Sequence, residues 1–282
     1  MIKETDVKSS GFENMNWGRE WARAYAQSSL VMRKAQEPSY WEKRAKRFST
    51  INNGAEGRAQ ALMDIIGVTD QTSIIDIGCG PGNLAVPLAQ NVGTVTALDP
   101  AKAMLEKLVC KAEECNVTNI TTINKGWEDA VLDGDIVSHD IVLSSYALIM
   151  KDISKALAAM NDTAAQTVCL FWFAGRENFG YARAWKEMYG EDYVGGPDHI
   201  LLLNVLNELG IYPNVTILPQ VVEITYKDFD DAVACYAQDL YATTEEHMDI
   251  IRKTLTEELD MSGEYPVNRR NVRSAMIWWN KE

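Results

Sequence analysis

A glycine-rich segment between an apolar run and a helical pattern constrains this chain more than any other feature. Residues 74–84 read Ile-Ile-Asp-Ile-Gly-Cys-Gly-Pro-Gly-Asn-Leu, with glycines at positions 78, 80 and 82. The β-branched residues before the glycines predict a buried strand, and the apolar spacing from Leu84 onward predicts a helix. Because glycine adopts positive φ and lacks a Cβ, such a turn lets the backbone approach a ligand closely. We therefore expect an α/β fold with a ligand-binding loop at this turn.

A second predicted strand with an acidic end follows the glycine segment. Residues 94–98 read Thr-Val-Thr-Ala-Leu and are followed by Asp99 and Pro100. A carboxylate at such a strand end accepts hydrogen bonds from ribose hydroxyls. The glycine loop and this acid, each at the end of its own strand, together indicate a nucleoside-binding protein. The glycine spacing differs from the Gly-x-Gly-x-x-Gly fingerprint of dinucleotide sites, which disfavours an NAD-linked oxidoreductase.

The loop closely resembles motif I of the class I S-adenosylmethionine-dependent methyltransferases. Asp76 stands inside the strand end, Pro81 separates the last two glycines, and Asp99 matches the ribose-binding acid of that family. The resemblance covers residues 60–175 well and implies an α/β, Rossmann-like, seven-stranded and mostly parallel sheet with helices on both faces. It also implies S-adenosyl-L-methionine as cofactor, whose cationic sulfonium suits an acidic site. The implied contacts here are Asp76, Gly78, Cys79, Gly80, Gly82, Asn83, Asp99, Pro100 and Met104.

The adenine-binding loop of the family has a counterpart after the third predicted strand, residues 120–124. Trp127 matches the apolar residue that covers the adenine ring. Glu128 matches the polar residue that meets the exocyclic amine, and Asp129 competes with it for that role. All three are therefore implied cofactor contacts.

Residues 140–148 resemble motif IV of the family, a fourth strand whose carboxyl end faces the methyl donor. Ser144 and Ser145 at that end are implied cofactor contacts. Tyr146 is positioned to touch the acceptor or the sulfonium, or else only to line the pocket. A general base is needed only if the acceptor loses a proton as it attacks. His199 is the histidine best suited to that role, so Tyr146 and His199 are the candidate catalytic residues.

The chain is rich in aromatic residues at and beyond the fifth predicted strand, residues 167–173. An aromatic pocket suits a flat or cationic small molecule without identifying one. The arginine that follows this strand either pairs with an acceptor carboxylate or with an acid of the chain itself. The predicted acceptor contacts are Trp172, Phe173, Arg176, Trp185 and Tyr189.

The predicted organisation comprises a cap, a core and a lid. Trp17, Trp21 and Tyr25 are spaced four apart and so share one helix face. These aromatic residues either dock the helix on the core or close over the site, and resemblance to family caps makes Tyr40 a candidate cofactor contact. The predicted parts are a helical cap at 1–55 and a cofactor-binding core at 56–282, with a lid inserted at 177–210.

The predicted sheet closes with an antiparallel hairpin. Residues 215–218 and 221–226 are predicted strand segments separated at Pro219, and residues 272–279 alternate as a final strand. The hairpin completes the seven strands that the resemblance implies.

The charge balance bears on the class of partner. The chain carries 27 basic and 40 acidic residues, a formal net charge of −13. Because nucleic-acid binders need basic surfaces to displace counterions, tRNA, rRNA and DNA are disfavoured as substrates. The sequence has neither an 18-residue apolar run nor a secretory leader, and its five scattered cysteines lack zinc or redox spacing. We expect a cytoplasmic protein with no metal site and no membrane partner.

The sequence therefore predicts methyl transfer from S-adenosylmethionine to a small-molecule acceptor. A protein or tRNA methyltransferase is the alternative within the same fold. A regulatory protein that binds the cofactor without turnover is the alternative from another class, because no catalytic base is evident. The acceptor atom and the oligomeric state stay open.

Overall fold

The computed structural model describes residues 15–32, 38–48, 51–52, 54–175 and 181–281. Within these ranges the strands form a single sheet in the order β1-β7-β8-β6-β5-β2-β3-β4. The strands are β1 (Ile51–Asn52), β2 (Ser73–Ile77), β3 (Thr94–Leu98), β4 (Ile120–Ile123), β5 (His139–Ser145), β6 (Ala164–Phe173), β7 (Asn214–Thr225) and β8 (Val267–Asn280).

Helices precede, connect and follow these strands. In the first part of the chain they are α1 (Trp17–Ala26), α2 (Ser29–Met32), α3 (Pro38–Phe48), α4 (Ala55–Ile66), α5 (Ala85–Ala89) and α6 (Lys102–Glu114). The later helices are α7 (Trp127–Leu132), α8 (Ile153–Thr163), α9 (Ala182–Tyr189), α10 (His199–Glu208), α11 (Phe229–Leu240) and α12 (Glu245–Glu258). None of the helices in the described ranges combines the length and apolar character that a membrane span requires.

The predicted seven-stranded, mostly parallel sheet is confirmed. Strands β4, β3, β2, β5 and β6 run parallel, and β8 and β7 complete the sheet as an antiparallel pair. The predicted hairpin connection is wrong, because α11 and α12 lie between β7 and β8 in the chain. The two-residue β1 adds a short eighth strand beside β7. Because the chain proceeds from β2 through β3 to β4 and then returns to β5, the strand order reverses between β2 and β5. Ligands of open α/β sheets bind at such a reversal, beyond the carboxyl ends of the strands.

The predicted interruption of the hairpin at Pro219 is wrong. Strand β7 continues through Pro219, which pairs with Arg273 of β8. Strand β1 pairs only with Glu223 and Ile224 of β7. Pro219 therefore lies on a part of β7 that has no second neighbour among the described strands, and edge strands tolerate proline.

Apolar side chains cover both faces of the sheet. On one face, α1, α8 and α10 pack through Trp21, Leu157 and Leu206. On the other face, α4 and α6 pack through Leu62 and Leu108. The alternation of buried residues along β2 and β6 supplies both layers, so the expected helices on both faces are present.

The cap and lid segments are arranged differently from the sequence-based division. Helix α1 belongs to the main core, and Trp21 lies 5.5 Å from Trp172 between ring centroids. In the region predicted as lid, α9 packs with α11 and α12, whereas α10 packs into the main core through Leu202 and Val205. The cluster formed by α9, α11 and α12 is called the lid below.

Candidate active site

The carboxyl ends of β2, β3 and β5 bring the predicted cofactor residues to one edge of the sheet. Ile77 pairs with Leu98 on one side and with Ser144 on the other. The N–H groups of Gly78 and Cys79 donate to the Leu98 carbonyl at 2.8 and 3.0 Å. These bonds attach the glycine loop to the end of β3, where Asp99 follows.

Gly78 and Gly80 of the loop are glycines for different structural reasons. Gly78 has φ +71°, and a Cβ there would lie 2.3 Å from the Ala147 Cβ, so close packing excludes a side chain. Gly80 has φ +54°, and a Cβ there would meet no atom of the described residues within 4 Å, its chain neighbours apart. The loop therefore packs tightly on the β5 side and leaves room at Gly80 for a ligand to approach the backbone.

Asp99 is fixed at this edge by backbone donors. One carboxylate oxygen accepts from the Gly80 N–H at 2.9 Å, and the other accepts from the Ala101 N–H at 2.8 Å. Burial raises the pKa of Asp99, the two N–H groups oppose that rise, and Glu42 adds to it. The predicted ribose acid thus lies directly beside the predicted loop.

Asp76 is a buried carboxylate with an unpaired oxygen. Its side chain is 1% exposed, and Oδ1 accepts no hydrogen bond from any described residue. Burial and the charge of Asp99 raise the pKa of Asp76 to about 7, while Arg58 opposes the rise. A buried carboxylate oxygen of this kind is stabilised by a cationic ligand group.

Arg58 of α4 is a site residue that sequence reasoning missed. It is 2% exposed, donates from Nη1 to Gln220 Oε1 at 3.1 Å and hydrogen-bonds the Tyr146 hydroxyl. Burial lowers the pKa of Arg58, and Tyr146 and Asp76 oppose that shift. The available signal was its spacing, because Ala55, Arg58 and Leu62 share the buried face of α4.

Tyr146 lies where the resemblance places it, directly after β5. Its φ is +56°, an uncommon backbone conformation for a bulky residue, and its N–H donates to the Phe171 carbonyl at 3.0 Å. The Tyr146 ring lies 4.6 Å from the Phe173 ring and 5.0 Å from the Arg58 guanidinium carbon. Backbone strain of this kind clusters at functional sites.

The remaining predicted cofactor residues differ in their surroundings. Trp127 is buried in the main core and donates from Nε1 to the Ala156 carbonyl at 3.3 Å, whereas Glu128 and Asp129 are exposed in the first turn of α7. Ser144 is buried and donates to the Ile77 carbonyl. Of the others, Gly82 and Met104 are buried, Ser145 and Asn83 are half-buried, and Pro100 is exposed.

Tyr40 lies on α3, which packs against the start of α6. Trp41 and Ala45 of α3 contact Ala101 and Met104. The Tyr40 hydroxyl accepts a hydrogen bond from Arg44 at 2.7 Å on the side of α3 that meets the lid. The helix therefore borders the cofactor edge, and a contact from Tyr40 to the cofactor stays a prediction.

The structure divides the predicted aromatic acceptor pocket into two clusters. Trp172 and Phe173 join Tyr146, although Trp172 is itself buried and donates from Nε1 to the Pro197 carbonyl. Trp185 and Tyr189 pack inside the lid, where the Tyr189 hydroxyl donates to the Leu240 carbonyl at 2.6 Å. Arg176 lies outside the described residues.

His199 is the first residue of α10, a helix of the main core. Asp198 caps the helix by accepting from the N–H groups of Ile200 and Leu201. The Nδ1 atom of His199 is buried and has no hydrogen-bond partner among the described residues. A base role for this ring stays a prediction. No group of three metal-binding side chains occurs within the described ranges.

Residues 74–166, which contain the glycine loop, Asp99 and Tyr146, match a family model described as "Methyltransferase domain". An uncharacterized protein of Haemophilus influenzae is 28% identical over 245 residues, covering 86% of this chain and 89% of its own. A 23S rRNA (uracil(1939)-C(5))-methyltransferase of Pectobacterium carotovorum is 29% identical over 109 residues, 39% of this chain and 22% of that enzyme.

The fold also matches solved structures. A putative methyltransferase from Bacillus halodurans superimposes with a TM-score of 0.55 at 14% identity. The match covers 80% of this chain and 99% of that structure. This likeness concerns the architecture of the sheet and its flanking helices.

Proposed function

We propose that this chain, whose residues 74–166 match a methyltransferase domain, is a class I S-adenosylmethionine-dependent methyltransferase that methylates a small-molecule acceptor by in-line displacement. The cofactor site is supported by one observation at the strand-order reversal. The Gly80 N–H donates to Asp99, and the buried Asp76 nearby has an oxygen, Oδ1, without a hydrogen-bond partner among the described residues. These groups fit a nucleoside that carries a cationic amino-acid tail.

The residues at this edge match the parts of the cofactor in order. Asp99 accepts from the ribose hydroxyls, and the loop at Gly80 approaches the same part of the ligand. The unpaired oxygen of Asp76 accepts from the ammonium group, and the buried Arg58 donates to the carboxylate of the methionine moiety. Opposite protein charges thus face the opposite charges of one zwitterion, which offsets the cost of burying each group.

The adenine end of the site rests on the resemblance. Trp127 is proposed at the ring and Glu128 or Asp129 at the exocyclic amine, in the turn where α7 begins. The carboxylates of Glu128 and Asp129 are exposed and are accessible to a ligand at the edge of the sheet.

The chemistry supplied by the bound cofactor is an electrophilic methyl group on a sulfonium. The protein's contribution is alignment and exclusion of water, since an in-line displacement depends on the geometry of nucleophile, methyl carbon and leaving sulfur. Tyr146 directly follows β5 and is hydrogen-bonded by Arg58, and we assign it to the acceptor side of the site. Phe173 extends this side as an apolar wall.

Two features support a small acceptor over a nucleic acid. The net charge of −13 opposes phosphate backbones. The similarity to the 23S rRNA enzyme covers 22% of that protein, so most of its length has no counterpart in the match.

Calorimetric titration of the purified protein with S-adenosylhomocysteine, with NAD in parallel, tests the cofactor. We expect binding of the first alone with a Kd of about 1 μM, or about −8 kcal/mol. Binding of NAD alone would overturn the proposal. A panel of amines, phenols, thiols and carboxylates with labelled cofactor then tests the acceptor class, and labelling of tRNA instead would contradict the small-molecule proposal.

A further inference from the structure

A largely buried ion pair joins α3 to the lid. Arg44 donates from Nη1 to Asp239 Oδ1 at 2.5 Å, and the Tyr181 hydroxyl donates to the other carboxylate oxygen at 2.6 Å. The Arg44 and Asp239 side chains are only 16% and 6% exposed, whereas those of the surface pair Arg252–Asp249 are 44% and 72% exposed. Exposed pairs contribute little, whereas loss of one partner of a buried pair leaves an uncompensated charge.

A neighbouring face of α3 contacts the turn that carries the ribose acid. Glu42 Oε2 accepts from the Ala103 N–H at 3.2 Å and so caps the start of α6. Trp41 and Ala45 pack on Ala101 and Met104. The Ala101 N–H donates to Asp99, so α3 packs on the same turn that orients the Asp99 carboxylate.

We propose that Asp239 is a positioning residue for the cofactor: through Arg44 it holds α3 against the turn between β3 and α6 and thereby keeps Asp99 oriented toward the ribose. The inference rests on the cofactor site proposed above. It adds that a residue of the lid, 140 positions away from Asp99 in the sequence, sets the affinity for the nucleoside half of the ligand. Coupling of this kind is reciprocal, so a bound nucleoside stabilises the contact between α3 and the lid.

A positioning role and a purely structural role differ in their response to two variants. Asp239→Asn leaves Arg44 buried without its carboxylate, so it weakens folding and positioning together. The double variant Arg44→Met/Asp239→Leu removes both charges, and apolar replacements of a whole buried pair commonly restore stability. The double variant nevertheless lacks the directional bond between α3 and α11.

The experiment measures the Kd of two ligands by calorimetry and the Tm of each protein. The ligands are S-adenosylhomocysteine and 5′-methylthioadenosine, which lacks the amino-acid tail. The proteins are wild type, Asp239→Asn, Arg44→Met/Asp239→Leu and the control Asp230→Asn, an exposed acid on the same helix. We expect both ligands to bind about fivefold or more weakly to the single and double variants. The control should match the wild type.

The outcomes separate this inference from the function on which it rests. Wild-type affinity for both ligands in the folded double variant would overturn the positioning role, whatever its Tm. Weakened binding together with a wild-type Tm in that variant would support it. If Asp239→Asn fails to fold, the double variant alone decides. If the wild type binds neither ligand, the proposed cofactor site falls and this inference falls with it.

Discussion

Asp76 at the cofactor edge and Asp239 at the lid are both buried carboxylates, with 1% and 4% exposure, but their partners differ. Asp239 accepts hydrogen bonds at both oxygens, from Arg44 and Tyr181. The Oδ1 atom of Asp76 accepts no hydrogen bond from any described residue. The fully paired acid contributes to the folded chain itself, whereas the incompletely paired acid is complementary to a charge that a ligand brings. Hydrogen bonding, more than burial, therefore distinguishes a structural acid from a binding acid here.

The largest expected effect is the change in the free energy of unfolding when Asp239 of the lid is replaced. Asp239→Asn should lower the free energy of unfolding by roughly 3 kcal/mol, because the largely buried Arg44 loses its carboxylate partner. Denaturant titration followed by circular dichroism measures it. Asp76→Asn, made as the matched variant at the other acid, should leave the stability at pH 8 unchanged or raised. A comparable loss in both variants would erase the distinction between the two acids.

The next effect is on cofactor affinity at Asp99. Asp99→Ala should weaken S-adenosylhomocysteine binding by about 2–3 kcal/mol, since the ribose hydroxyls lose charged acceptors in a closed site. Calorimetry measures the change, with Asp230→Asn as the exposed control. Unchanged affinity would mean that the ribose lies elsewhere.

Arg58 should affect one half of the ligand. Arg58→Met should weaken S-adenosylhomocysteine binding by about 1.5–2 kcal/mol because a charged hydrogen bond to the carboxylate is lost. Binding of 5′-methylthioadenosine, which lacks that carboxylate, should be retained. Parallel titrations with the two ligands check this selectivity. Equal losses for both ligands would instead identify Arg58 as a general support of the site.

The smallest effect is the pH dependence that Asp76 confers. Its pKa is raised from 3.8 to about 7, so between these values the folded protein keeps a proton that the unfolded chain has lost. The Asp76 contribution to stability without ligand therefore falls as pH rises through this window. A cationic ligand favours the ionised form, so the affinity for S-adenosylhomocysteine should rise from pH 6 to pH 8, by at most about tenfold per pH unit.

Calorimetry in buffers of different ionisation enthalpy tests this dependence directly. The wild type should release protons on binding near pH 6.5, which lies just below the raised pKa of Asp76. Asp76→Asn should release fewer protons and show a flatter pH profile. An identical profile in the two proteins would assign the titration to another group.

Much of the cofactor edge could be predicted because its signals are local. The glycines, Asp76 and Asp99 lie within two short segments, and the strand ends that hold them are apolar runs of ordinary length. Arg58 and Asp239 were missed because their partners are distant, with 162 positions between Arg58 and Gln220 and 195 between Arg44 and Asp239. No short-range pattern indicates such pairings.

The acceptor side was predicted less well for a related reason. Aromatic content placed Trp172 and Phe173 at the end of the right strand and Trp185 and Tyr189 after it, but it cannot distinguish a pocket wall from the interior of a helical cluster. The structure divides them between the main core and the lid. The seven-stranded sheet was predictable from the resemblance, whereas the continuity of β7 depended on its place at the edge of the sheet.

The proline within β7 has a consequence for the behaviour of the protein at high concentration. Val215, Ile217 and Val221 are exposed along this strand, and β1 covers only its far end. A long, regular and apolar edge recruits strands from other molecules and leads to aggregation. Pro219, which lies between Ile217 and Val221, has no N–H that could donate to an incoming strand. Pro219, which suggested an interruption of the strand, thus also limits edge-to-edge association between molecules.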